Sequence, residues 1–146
     1  MTATRIEPAR PSDADAVLAL VVQNGLPADG LREHLETTLV AREEGRIVGT
    51  AALELYADGM LLRSVAVAAS RQRQGVGHEL TEAAIHLARR RGARAIYLLT
   101  TTAEQFFPKF GFERIPRTDV PATVQASVEF TSACPSTATV MRKMLS

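Results

Sequence analysis

Apolar positions recur at helical spacing at Val17, Leu18, Leu20 and Val21, behind Pro11-Ser12-Asp13 and ending before Asn24-Gly25. This predicts a capped first helix after a short strand at Thr4 to Pro8. A loop from Gly25 to Gly30 leads to a short second helix, Leu31 to Thr37. The pattern then shortens to runs typical of strands: Leu39 to Arg42, a turn at Glu43-Glu44-Gly45, and Ile47 to Tyr56. Asp58-Gly59 reads as a two-residue hairpin turn into Leu61 to Val67. Helical spacing returns over His78 to Arg91, with Leu80, Ala83, Ala84, Leu87 and Ala88 on one face and Glu79, Glu82, Arg89 and Arg90 on the other. Gly92 ends that helix, and a buried strand follows at Ala95 to Leu99. The rest reads as a short helix from Ala103 to Phe110 capped by Thr102 and stopped by Gly111-Phe112, a strand at Glu113 to Ile115, a helix at Pro121 to Ser127, and a last strand at Ala138 to Met144. The expected architecture is α/β (α+β): one domain, 1–146, with a mixed central sheet of about seven strands and helices on both faces.

The junction between the fourth strand and the long helix carries the first chemical signal. Gln72-Arg73-Gln74-Gly75-Val76-Gly77 joins an apolar strand to a helix start. Gly75 and Gly77 allow close backbone approach, and the first-turn N–H groups, His78 included, point outward with the helix dipole behind them. A pyrophosphate fits such a turn, although turns of this kind also serve dinucleotides or nothing at all. Arg71 and Arg73 flank it. Arg89 to Arg91 read as a solvated last turn that suits the helix dipole.

Composition narrows the picture only by exclusion. The chain has 146 residues and a net charge of +1, so neither nucleic acid nor a membrane is called for. Its one cysteine, Cys134, rules out an internal disulfide, reads as a small buried hydrophobe, and suits a reducing, cytoplasmic setting. No signal peptide or transmembrane run is apparent, and the three histidines have no metal-pair spacing, so no metal is expected.

The hairpin supplies the second signal. With Asp58-Gly59 as the turn, Tyr56 faces Leu61, Leu55 faces Leu62 and Glu54 faces Arg63, so Glu54, Tyr56, Leu61, Arg63 and Val65 share one face. A carboxylate there can take a proton, and a guanidinium fork in an apolar pocket suits a carboxylate or another oxyanion. The plainer reading is a cross-strand ion pair worth a few tenths of a kcal/mol.

The order strand, Gln-x-x-Gly-x-Gly turn, helix, strand, aromatic helix and Gly111-Phe112 resembles the GNAT N-acetyltransferases over nearly the whole chain. Tyr97 to Phe107, Leu61 to Val67, Ser127-x-Glu129-Phe130 and Cys134-Pro135-Ser136 look like the small GNAT enzymes of arsenic-resistance operons, which in turn look like the acetyltransferase half of N-acetylglutamate synthases. The resemblance implies acetyl-CoA as co-substrate and direct acetyl transfer to the amino group of a small amino acid or analogue, linked to arsenic resistance. It places pantetheine along Val65, Ala66 and Val67, the pyrophosphate at Arg71, Gln72, Arg73, Gln74, Gly75, Val76, Gly77 and His78, and Phe107 or Phe110 against the pantetheine or acetyl group. Leu26, Tyr56 and Arg63 fall at the acceptor. Many relatives carry a glutamate base where this chain has Leu61, which makes Glu54 the substitute. Phe107 stands where many have a tyrosine acid, which leaves the Thr100 hydroxyl to meet the departing thiolate, or simply to cap a helix. The alternatives are a non-catalytic acetyl-CoA-binding module and a glutamate-specific enzyme like the synthases. Many relatives dimerise, so a homodimer is in keeping with the resemblance.

Overall fold

The computed structural model of the protein describes residues 4–145. Seven strands form one sheet: β1 (Arg5–Pro8), β2 (Thr38–Glu43), β3 (Arg46–Tyr56), β4 (Gly59–Val67), β5 (Ala95–Thr100), β6 (Glu113–Arg114) and β7 (Thr139–Met144). Their order is β1-β2-β3-β4-β5-β7-β6. All neighbours are antiparallel except β4 and β5, which pair in parallel only at Met60 with Ile96 and Leu61 with Tyr97. Beyond that point the two strands diverge and leave facing backbone edges open.

Helix α1 (Ala14–Gln23) buries Val17, Leu20 and Val21 on one face of the sheet against Val40, Ala52 and Ala66. Helix α2 (Val76–Arg90) covers the opposite face, packing Val76, Leu80, Ala84, Ile85 and Ala88 on Ala51, Leu53 and Leu62. A third apolar group, Leu61, Tyr97, Val120, Val124 and Val140, forms where the short helix α3 (Ala122–Gln125) covers the far half of the α1 face. Between the two apolar patches on that face lie the buried charges Glu54 and Arg63.

Contact between α2 and β3 is close because Gly49 carries no side chain. A Cβ there would stand 2.7 Å from Leu80 Cδ1 and 3.0 Å from Val76 Cγ1. Gly49→Ala is therefore expected to destabilise the fold by about 1–3 kcal/mol through overpacking. A urea midpoint that stays put or rises would contradict this packing.

Four local expectations are corrected. The hairpin turn is Ala57-Asp58, so Glu54 pairs with Leu61 and Ala52 with Arg63. The register is displaced by two residues, which preserves the faces because the side-chain period is two. Second, Ser64 adopts φ +58° at a bulge, and the extra residue turns Val65 away from the Arg63 face toward the α2 side. Third, the aromatic helix reduces to a 3-10 turn at Phe107–Phe110; Thr100 Oγ1 accepts from the Ala103 N–H at 2.9 Å in place of a Thr102 cap. Fourth, the helix expected to reach Ser127 stops at Gln125, and a π-helical turn, Glu129–Ala133, follows.

Candidate active site

The diverging edges of β4 and β5 open a cleft of about 1340 Å³, closed at one end by the start of α2. Gly75 is the residue before that helix, with φ +87°, a conformation that glycine reaches without strain. The first intrahelical bond runs from the Glu79 N–H to the Gly75 carbonyl at 3.0 Å, so the N–H groups of Val76, Gly77 and His78 have no partner within the helix. With the dipole of a 15-residue helix behind them they are free to receive an anion.

Most of the expected cofactor residues line this cleft: Val65, Val67, Arg71, Gln72, Arg73, Gly75, Gly77, His78 and Phe107. Gln72 Nε2 donates to the Val67 carbonyl at 3.1 Å and ties the turn to the strand. Arg71, however, is claimed by Glu43: its Nε lies 3.0 Å from both carboxylate oxygens, which leaves Arg73 as the arginine of this turn without an ion pair among the described residues. The other four fall elsewhere. Ala66 is packed in the α1 core, and Val76 is buried against β3, so only its peptide N–H faces the turn. Gln74 is exposed and bonded to the Ser70 carbonyl. Phe110 packs on Phe106 and His78, and Phe106 takes its place in the cleft wall.

A smaller cavity of about 220 Å³ adjoins the cleft. The two share Leu26, Arg63, Ser64 and Leu99 to Thr102, which places Leu26 and Thr100 at the junction. Because Thr100 Oγ1 already accepts a hydrogen bond, its own hydrogen is free to be donated into this junction.

Glu54, Tyr56 and Arg63 are arranged differently from the sequence expectation. Glu54 has no exposed surface and lines neither cavity. Its carboxylate accepts from Ser127 Oγ at 2.5 Å, from Arg63 Nη1 at 2.9 Å and from the Tyr56 hydroxyl, with His34 Nε2 at 3.7 Å. Burial alone would raise this carboxyl, but the hydrogen bonds from Ser127, Tyr56 and Arg63 outweigh it and hold it below the usual range. A carboxylate whose basicity is lowered and whose oxygens are occupied by donors is a poor proton acceptor. Tyr56 also lies outside both cavities, and burial together with its bond to Glu54 pushes its hydroxyl up to about 12.

Arg63 presents no open fork. Nη1 also donates to the Asp29 carbonyl at 2.7 Å, Nη2 to the Pro27 carbonyl at 3.0 Å, and Nε to Ser64 Oγ at 3.1 Å. The guanidinium thus fastens the 27–29 loop over the sheet. The missed residue is Glu129, which lines the smaller cavity with Arg63 Nε 3.4 Å from its Oε2. Burial pushes its carboxyl up to about 7 against the pull of Arg63. Its sequence signal is its place in the Ser127-x-Glu129-Phe130 pattern, which carries the family resemblance but assigns it no role. Cys134, expected to be buried, is half-exposed at the cavity wall, and burial plus the neighbouring Glu129 raise its thiol to about 12. Among the described residues no group of His, Cys, Asp and Glu is placed to hold a metal ion, and no helix is long and apolar enough to cross a membrane.

Comparison with known proteins adds to this geometry. A sequence model of the acetyltransferase (GNAT) domain matches residues 34–114. The N-acetylglutamate synthase of Neisseria gonorrhoeae, solved with coenzyme A and N-acetyl-glutamate, superposes with a TM-score of 0.85 at 21% identity over 100% of this chain. This chain spans only 36% of that synthase. Rv2747 of Mycobacterium tuberculosis, solved with CoA, gives 0.83 at 26% identity and covers 97% of this chain and 99% of its own. A GNAT acetyltransferase of Brucella melitensis, solved with acetyl-CoA, gives 0.61 at 24% identity over 76% of this chain and 83% of its own. With the domain model matching more than half of its length, the chain belongs to the GNAT acetyltransferase family.

Proposed function

We propose that the acceptor is the α-amino group of a small free amino acid or amino-acid analogue, acetylated by direct transfer from acetyl-CoA. The carrying observation is the smaller cavity: at about 220 Å³ it has room for a single amino acid, and it opens at Ser64 and Thr100, where the β4 and β5 edges part. The open β4 edge supplies peptide groups for pantetheine, the α2 N-terminus takes the pyrophosphate, and the thioester then reaches the mouth of the small cavity. Holding amine and thioester there makes the reaction effectively unimolecular. The N-acetyl-glutamate bound by the gonococcal synthase supports an amino-acid acceptor, glutamate included. The sequence resemblance to arsenic-resistance enzymes supports counting an arsenic-bearing glutamate analogue in the same class. Cys134 offers it a single thiol, short of the ligand set that trivalent arsenic prefers.

Thiol release with acetyl-CoA and matched acceptors tests this reading. Free amino acids are expected to exceed their N-terminal tripeptide counterparts in kcat/KM by at least about tenfold, roughly 1.4 kcal/mol, because the peptide cannot enter. Equal rates on amino acid and peptide would overturn the assignment.

A further inference from the structure

Glu54 and Glu129 belong to one buried ionic cluster around Arg63, yet their surroundings differ in kind. Glu54 is saturated with short hydrogen bonds and sealed from both cavities. Glu129 is also buried, at 4% exposure, but among the described residues its carboxyl meets Arg63 Nε at 3.4 Å and the Cys134 thiol, and it forms part of the cavity wall. The chain reaches this position through the π-helical turn, closed by the Cys134 N–H donating to the Glu129 carbonyl at 3.1 Å. The Glu129 N–H donates to Ser127 Oγ at 3.2 Å, and that hydroxyl donates to Glu54, so the segment is fixed at both ends. π-turns of this kind recur at functional sites.

We propose that Glu129 is the catalytic base of this acetyltransferase, taking a proton from the acceptor ammonium inside the smaller cavity. The proposal rests on that cavity being the acceptor site. The Glu129 carboxylate removes one proton from the ammonium and becomes a carboxylic acid. The freed amine attacks the acetyl carbonyl and a C–N bond forms. On collapse the C–S bond breaks, the electron pair leaves with sulfur, and the thiolate, hydrogen-bonded by the Thr100 hydroxyl, takes the second nitrogen proton to give CoA thiol. Glu129 then returns its proton to water.

The charged and titratable groups facing Glu129 are Arg63 and Glu54 on the sheet, Asp29 on the covering loop and Cys134 on its own segment. Arg63 favours the carboxylate, whereas burial, Glu54 and Asp29 oppose it, and the balance leaves the group near neutrality at about 7. A base serves best when its pKa lies near the working pH, and two acids whose surroundings push them apart mark the division of roles.

The test is the pH profile of kcat/KM on a panel of free amino acids, peptides with free amino termini and diamines. The wild type is expected to show an ascending limb with an apparent pKa of about 7, since the carboxylate form is the active one. Glu129→Gln is expected to abolish that limb and lower kcat/KM at neutral pH about 10²- to 10⁴-fold, with the deficit shrinking as the amine deprotonates unaided at high pH. Acetyl-CoA affinity, measured by calorimetry, is expected to stay within about twofold, because Glu129 is absent from the larger cleft. A deficit equal at every pH marks a purely structural role and overturns the proposal, as does a wild-type profile without the limb or a panel in which no amine reacts.

Carbon-13 NMR titration of the glutamate carboxyls of the wild-type protein gives a reading that needs no variant: the absence of a carboxyl titrating near 7 also overturns it. Failure of the acceptor assignment looks different. A small diamine preferred over amino acids, with the limb still lost in Glu129→Gln, would remove the acceptor class and keep the base.

Discussion

Replacing Gly77 by valine is expected to raise the dissociation constant for acetyl-CoA at least about tenfold, or 1.4 kcal/mol, in a protein that remains folded. A Cβ on Gly77 would lie 3.5 Å from Val67 Cγ2 and 3.8 Å from Phe106 Cζ, both ordinary contacts, so the backbone tolerates it. The valine methyls would then occupy the cleft between β4 and the Phe106 ring and keep the cofactor from the N–H groups behind them. Gly75 differs. Nothing lies within 4 Å of its added Cβ, but φ +87° strains any other residue, at a cost of roughly 1–2 kcal/mol to the helix start. Calorimetry paired with thermal melting separates the two effects. Unchanged affinity in folded Gly77→Val would remove the anion site from the account.

Arg63→Met should produce the largest loss of stability, about 3–5 kcal/mol, comparable to a substantial part of the 5–15 kcal/mol that holds a typical domain together. The substitution leaves Glu54 buried without its guanidinium and strips donors from the Pro27 and Asp29 carbonyls and from Ser64. Arg63→Lys keeps the charge, but three donors at one point cannot serve acceptors spread around a planar fork, so it should recover only part of the loss. Adding Glu54→Gln to Arg63→Met should restore some stability by removing the uncompensated charge, a coupling that denaturant midpoints of the single and double variants would measure. Arg63→Met within 1 kcal/mol of wild type would show that the cluster does not organise the 27–29 loop.

The parts of this molecule written in local pattern were legible in its sequence, and those set by long-range packing were not. Gly75 and Gly77 announce a helix start by type alone, and the spacing of Leu80, Ala84 and Ala88 gives the buried face of α2. The pairing of Glu54 with Arg63 was also visible, because a two-residue error in register leaves faces unchanged. Its consequence was not. Whether that pair faces a substrate or lies sealed beneath a loop depends on the Asp29 and Pro27 carbonyls and on Ser127, 73 residues away from Glu54. The bulge escaped notice because Ser64 takes a left-handed conformation with no glycine to signal it. The role of Glu129 was not legible because a short π-turn has no periodicity, so the Ser127-x-Glu129-Phe130 pattern gave no direction for its side chain.

A crystal structure of the chain with CoA and an N-acetylated amino acid bound tests the central claim most directly. The pyrophosphate is expected within hydrogen-bonding distance of the Val76, Gly77 and His78 N–H groups, the thiol at the parting of β4 and β5 beside Ser64 and Thr100, and the product's acetamide at the mouth of the Glu129 cavity. A thiol directed away from that junction, or a product bound outside the smaller cavity, would contradict it.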